Sequence, residues 1–214
     1  MPSVPYEEGE RDTLVDRTRA ALRRIDRRAR DPWVSVVQRL DKDTTGVLVF
    51  ARNPKAHRAL QAQLRAHSVT RRYLAIVHGE AANARYETFI VQDRGDGLRG
   101  SWGLRRHHRG PPPRDAKRAL THVRVLRRLA GATLVECRLE TGRQHQIRIH
   151  LSEAGHPLVA ERVYVRELAG PRIDAPRPML HAIELAFDHP RTGERVRFEK
   201  GPPEDFRAVL RALS

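Results

Sequence analysis

One cysteine, few aromatics, few lysines and no long apolar run mark this sequence, and each scarcity excludes something. Cys137 stands alone in ATLVECRL, so neither a disulfide framework nor a cysteine-built metal cluster is open to the chain. A reducing, cytoplasmic compartment is expected. Nowhere do 18 apolar residues run together, and MPSVPYEEGERDTLVDR has no apolar core of signal length, so neither a membrane span nor an export signal is expected.

Lysine is confined to Lys42, Lys55, Lys117 and Lys200, which makes the basic surplus an arginine surplus. There are 41 Lys plus Arg against 26 Asp plus Glu, a net charge of +15 spread from Arg17 to Arg211. Distributed guanidinium forks suit phosphate, so a polyanionic partner follows. A genome that favours arginine codons would leave the same surplus, so charge alone does not identify the partner. The 214 residues are 39% hydrophobic, enough for a real core in a folded domain.

Along the chain, DTLVDRTRAALRRIDRRAR (12–30) spaces Leu14, Ala21, Leu22 and Ile25 as one helical stripe behind Asp12 or Thr13 as cap. VSVVQRL and VLVFA read as short strands. In NPKAHRALQAQLRAHS, Asn53 is the predicted N-cap, Pro54 the first helical residue, and Ala56, Leu60 and Leu64 the buried stripe. A strand RRYLAIVHG follows. Residues 93–118 lose periodicity and gather Gly, Pro, Arg and His, as a mobile basic loop or a plain linker would.

ALTHVRVLRRLAGATLVECRLE predicts a hairpin turning at Ala130 and Gly131. The next segment places Thr141 and Gln144 at capping-box spacing, with Ile147, Leu151 and Ala154 as a buried stripe ended by Gly155 and Pro157. Strands HAIELAFDHP and RVRFE and a helix burying Phe206, Val209, Leu210 and Leu213 complete the chain. Strands in hairpins with a few helices, and no regular βαβ alternation, predict an α+β fold around a mixed, mostly antiparallel sheet, in one domain over 1–214.

The most polar stretch, QRLDKDTTG (38–46), directly precedes the apolar VLVF. A calcium loop is excluded, because its twelfth position is Arg52 where a bidentate Glu is required. Asp-x-Asp-x-Thr also occurs in haloacid-dehalogenase-like phosphatases. Those need an apolar strand running up to the first Asp and a later acidic pair for magnesium, whereas Gln38 and Arg39 interrupt the strand and Asp174 and Asp188 are isolated. A third reading takes Asp41 as the one catalytic carboxylate, flanked by Arg39, with Thr44, Thr45 and Gly46 shaping the turn.

From VVQRLDKDTTGVLVFARN onward the chain resembles the RluA-type pseudouridine synthases, whose signature loop is His-Arg-Leu-Asp, a short spacer and Thr-Ser-Gly. RRYLAIVHG (71–79), LETGRQHQIRIHLSEAGHPLVAERVY (139–164) and the ending MLHAIELAFDHPRTGERVRFEKGPPEDF match in order, so the resemblance covers about residues 5–213.

The resemblance implies the pseudouridine synthase catalytic fold and isomerisation of uridines in rRNA or tRNA, by a cytoplasmic monomer that needs no cofactor or metal. It implies Asp41 as the catalytic carboxylate, Arg148 as its partner, Tyr73 as the tyrosine packed on the target base, and Arg39 as the residue entering the space left by the flipped nucleotide. Arg143, Gln144 and His145 would support the substrate loop. A carboxylate in a water-poor site keeps its charge beside a cation. On a helix Arg148 stands about 60° from His145 and about 80° off the Ile147 and Leu151 midline, free to face a cleft. His145 and His150, about 140° apart, make a poor metal pair, so the histidines read as structural or RNA-facing.

Four departures stand beside this likeness. Gln38 replaces the family histidine, and AERVY (160–164) stands where Gly-Asp-x-x-Tyr is typical. A leading strand with a Lys-Pro-x-Gly loop is expected to be missing, as is an S4-like RNA-binding module.

Overall fold

The computed structural model describes residues 13–25, 31–104, 110–165, 168 and 170–214. Its elements are α1 (Leu14–Ile25), β1 (Ser35–Val36), β2 (Thr45–Gly46), β3 (Phe50–Ala51), α2 (Pro54–Arg65), β4 (Thr70–His78) and β5 (Ala84–Val91). They continue as β6 (Gly100–Ser101), β7 (Lys117–Leu129), β8 (Ala132–Leu139), α3 (Gln146–Glu153), β9 (Leu180–Asp188), β10 (Arg195–Glu199) and α4 (Glu204–Ala212). Eight strands form one sheet in the order β10-β9-β4-β8-β7-β5-β6, with β2 added beside β9. The β2 pairing is parallel and the rest antiparallel, the mixed α+β architecture expected.

Side chains alternate across a strand, so β4 serves two layers. Tyr73, Ala75 and Val77 join Ile147 and Leu151 of α3 in one core, whereas Ile76 and the flanking Leu74 pack with Phe206 of α4 in another. A third cluster puts Leu60 of α2 against Leu185 and Phe187 of β9. The sheet thus holds the central strand β4 between α3 and α4. At Arg72/Tyr73 the register between β4 and β9 shifts, a bulge that re-aims the side chains beside it.

Several local expectations hold to the residue. Asn53 accepts from the backbone N–H of Ala56 at 2.8 Å and caps α2, with Pro54 first. The β7–β8 hairpin turns at Ala130 and Gly131. Thr13 caps α1 reciprocally with Asp16: the Thr13 N–H donates to the Asp16 carboxylate at 3.1 Å and the Asp16 N–H to the Thr13 hydroxyl at 3.3 Å. Asp12 and residues 26–30, the alternative cap and the helix's expected end, lie outside the described residues.

Others need correction. The buried residue of α1 is Val15, while Ala21 is exposed and Ile25 is 81% exposed, so the inward face is rotated from the expected stripe. The strands around the opening loop are two residues each and pair with one another as β1 and β3. α3 starts at Gln146, because His145 before it takes a left-handed backbone (φ 58°) that no helix residue can share. Thr141 and Gln144 form no capping box. Thr141 instead donates to the Gln146 side-chain oxygen at 2.7 Å, and that amide donates to the Leu120 carbonyl at 3.0 Å. α3 is buried from Gln146 to Ser152, so it has no single apolar stripe.

Residues 93–104 are fastened rather than loose. The Asp93 carboxylate accepts from the backbone N–H groups of Gly95, Asp96 and Gly97 at 2.7, 3.1 and 2.9 Å. Arg94 is buried beside Asp96 and Glu153, and β6 pairs with β5. Residues 105–109 of the basic segment lie outside the described residues. Cys137 is buried and free, its thiol pushed up by desolvation.

Candidate active site

The polar loop that precedes β3 is a tight turn clamped at both ends. The Thr44 N–H donates to the Asp41 carbonyl at 3.0 Å. Asp43 takes φ 70°, a conformation that Asp tolerates better than most residues, and its carbonyl accepts from Arg177 at 3.1 Å. Thr45 and Gly46 then leave as β2 alongside β9. The Nε2 of His181 donates to the Lys200 carbonyl at 2.7 Å, so its Nδ1 accepts from the Thr45 hydroxyl at 2.8 Å. Gly46 has φ 125°, and a side chain there would collide with the Ala182 backbone. Thr45 and Gly46 therefore anchor the loop to the sheet.

This turn presents Asp41 to a cleft of about 470 Å³, inside the range of about 300–1,000 Å³ common for ligand sites. Arg39, Thr44, Tyr73, Arg143, Gln144 and His145 line the same cleft. Arg39 and Gln144 are exposed, whereas Tyr73 is buried and its hydroxyl is pushed up to about 12 by desolvation. At neutral pH that hydroxyl keeps its proton and is available as a donor. Arg143 lies along the wall, its Nε donating to the Arg118 carbonyl at 2.9 Å.

Arg148 is 8% exposed and meets Asp41 from α3, with Nη1 at 3.9 Å from Asp41 Oδ2. Its fork belongs to another carboxylate. Nε donates to Glu161 Oε2 at 2.8 Å and Nη2 to Oε1 at 2.6 Å. Glu161 also accepts from the Val163 N–H at 2.9 Å, and Arg148 and these backbone donors hold its carboxyl below its ordinary value despite burial. The Arg148 guanidinium carbon lies 5.3 Å from the centre of the Tyr164 ring, and the Tyr164 hydroxyl shares a 2.8 Å hydrogen bond with His145 Nδ1. Desolvation, the largest cause, lowers the His145 pKa, and the ring is neutral at pH 7.

Sequence reasoning missed Glu161 and Arg71. Glu161 sits in AERVY, at the acid position of Gly-Asp-x-x-Tyr, so the departing stretch itself carried the signal. Arg71 lies two residues before Tyr73 on β4 and lines the cleft, donating to the Glu140 carbonyl at 3.0 Å while its Nε has no hydrogen-bond partner among the described residues. Its guanidinium occupies the space where a Gly142 side chain would be. His150 bonds Thr88 and Thr121 at 2.9 Å each, away from the cleft that His145 lines. Among the described residues no three His, Cys, Asp or Glu side chains are grouped so that they could hold a metal ion, and no helix is long and apolar enough to cross a membrane.

Known proteins resemble this chain in sequence and in fold. Residues 2–153 match the family model described as RNA pseudouridylate synthase. The chain is 44% identical over 182 residues to the uncharacterised RNA pseudouridine synthase YlyB of Bacillus subtilis, covering 83% of this chain and 55% of that protein. It is 38% identical over 225 residues to the ribosomal large subunit pseudouridine synthase D of Pseudomonas aeruginosa, covering 99% and 65%. It thus spans a little over half to two thirds of these relatives. The solved human RNA pseudouridylate synthase domain containing 4 superposes with a TM-score of 0.77 at 22% identity, over 99% of this chain and 85% of that one, a likeness of fold. With its family model covering most of the sequence and a cleft built around Asp41, this chain belongs to the RNA pseudouridylate synthase family.

Proposed function

We propose that the protein isomerises uridine to pseudouridine in RNA, with Asp41 as the catalytic carboxylate. The observation that carries this is the convergence of Asp41, Tyr73 and Arg39 on one cleft, with the Arg148 Nη1 at 3.9 Å from Asp41. The reaction breaks the N1–C1′ bond, turns the uracil and joins C5 to C1′. The hydrogen leaves C5 and N1 gains one, so atoms balance without a redox partner or cofactor. Either attack on C1′ or removal of the C2′ proton uses a carboxylate placed as Asp41 is.

A stacked uridine must leave its helix first, at a cost of a few kcal/mol. Arg39, exposed on the rim, is suited to fill the vacated space. Tyr73, with its proton retained, packs on the base and donates a hydrogen bond. Arg148 balances the Asp41 charge from the side away from solvent, and Arg143, Gln144 and His145 shape the entrance. Large-subunit ribosomal RNA is the first RNA to test, since two similar proteins act on it by name, in Pseudomonas aeruginosa and Zymomonas mobilis. An RNA substrate argues for a cytoplasmic enzyme, and a cleft formed within one chain argues for a monomer.

Ribosomal RNA transcribed with tritium at uracil C5 tests the reading, because forming the C5–C1′ bond expels that hydrogen to water. Tritium release by the wild type supports it. RNA binding without release would make the protein a binding module on the same fold.

A further inference from the structure

Several arginines of the sheet and of α4 are held by carboxylates: Arg72 by Glu136 and Glu184, Arg118 by Glu87, Arg195 by Asp188, and Arg207 and Arg211 by Glu204. α2 differs. It contains no acidic residue, and Lys55, Arg58 and Arg65 are exposed and, among the described residues, in no ion pair. At 100° per residue these three fall within about 80° of one another, opposite the buried Leu60. They form one basic stripe about 15 Å long at 1.5 Å per residue.

Two features set this stripe apart from an ordinary solvated face. Lys55 and Arg58 lie near the positive end of the helix dipole, where cations are disfavoured and no acid offsets them. Local cost without local gain points to a role in binding. The other end leads to the site: Gln61, Leu64, Arg65 and His67 line the cleft that holds Asp41.

We propose that the exposed face of α2 is a track for the RNA backbone flanking the target uridine, running from Lys55 through Arg58 to Arg65 at the cleft mouth. The inference rests on the reading of RNA as substrate. A length of about 15 Å corresponds to roughly four phosphates of a stacked strand. Compact cations on one helix face contact phosphates without reading bases, so the track sets orientation and affinity rather than the choice of base.

The test compares the wild-type chain with the Lys55→Gln/Arg58→Gln double variant, using transcribed large-subunit ribosomal RNA over a series of salt concentrations. Losing two phosphate contacts should reduce the slope of log affinity against log salt by about 1.5. Affinity should fall about tenfold at low salt, with the rate at saturating RNA unchanged and thermal stability equal or higher. An unchanged slope and affinity overturn the proposal and leave the stripe to an acidic protein surface. The two readings fail separately. Wild-type protein that isomerises uridine while the variant keeps the slope refutes the track alone. Wild-type protein that binds without isomerising, with a reduced slope in the variant, refutes the enzyme alone.

Discussion

Arg148 is held by two hydrogen bonds to Glu161, at 2.8 and 2.6 Å, and reaches Asp41 with its remaining nitrogen at 3.9 Å. The order matters. The buried pair fixes the plane of the guanidinium, and the fixed plane determines what Asp41 faces. Glu161 is thus a positioning residue, acting through Arg148.

Glu161→Gln keeps the shape but replaces the charged fork with weaker bonds. Misplacing a group by about 1 Å can cost about a hundredfold in rate, so kcat should fall on that order while KM changes less than about threefold. Arg148→Lys should behave alike, because an ammonium cannot form the fork. Arg148→Ala is less informative, since it strands Glu161 without a cation at a cost of about 3–5 kcal/mol. Steady-state kinetics beside thermal melting separate the two effects.

Two glycines of the site should fail differently. Gly46→Ala meets the Ala182 backbone at φ 125° and should destabilise the fold by about 3 kcal/mol or more, read from urea unfolding. Gly142→Ala meets only the end of the Arg71 side chain, which can move. Stability should change by less than about 1 kcal/mol, while displacement of Arg71 into the cleft lowers kcat/KM.

Acid should weaken the fold through His150. Desolvation lowers its pKa to about 4, so between about 6.5 and 4 the unfolded chain binds a proton that the folded chain does not. Its contribution is therefore present above pH 6.5 and lost as pH falls toward 4, by about 3 kcal/mol in all. The urea midpoint should drop across that window, and His150→Asn, though less stable at pH 7, should show a shallower drop.

RNA binding should depend steeply on salt. About five phosphate contacts would lower affinity by roughly a hundredfold between about 50 and 200 mM. Filter binding that shows a flat response would contradict contact through the arginines.

Much of the architecture was legible because local chemistry and the fold agreed. Asn53 and Pro54 mark a helix start wherever they meet, and Ala130-Gly131 between β-branched runs marks a hairpin. The misreadings fall where tertiary contacts overrule local pattern. Gln146 spends its side chain on Leu120 and Thr121 of β7, and the left-handed backbone of His145 before it keeps α3 from starting earlier. In α1 it is Val15 that is buried while Ile25 is exposed, a rotation that the spacing of apolar residues alone does not mark. Of the site, Asp41, Tyr73 and Arg148 were reached by resemblance, and their distances had to come from the fold. No periodicity links Glu161 to Arg148, 13 positions away, so its only signal was its place at the acid position of the AERVY stretch.

The most direct test is the conversion of uridines in transcribed ribosomal RNA, mapped by carbodiimide reactivity, with wild-type protein and Asp41→Asn at matched RNA occupancy. The account predicts new reactive sites with the wild type and none with the variant, although both bind. Equal conversion by the two proteins would contradict it, for the isomerisation would then proceed without the carboxylate of Asp41.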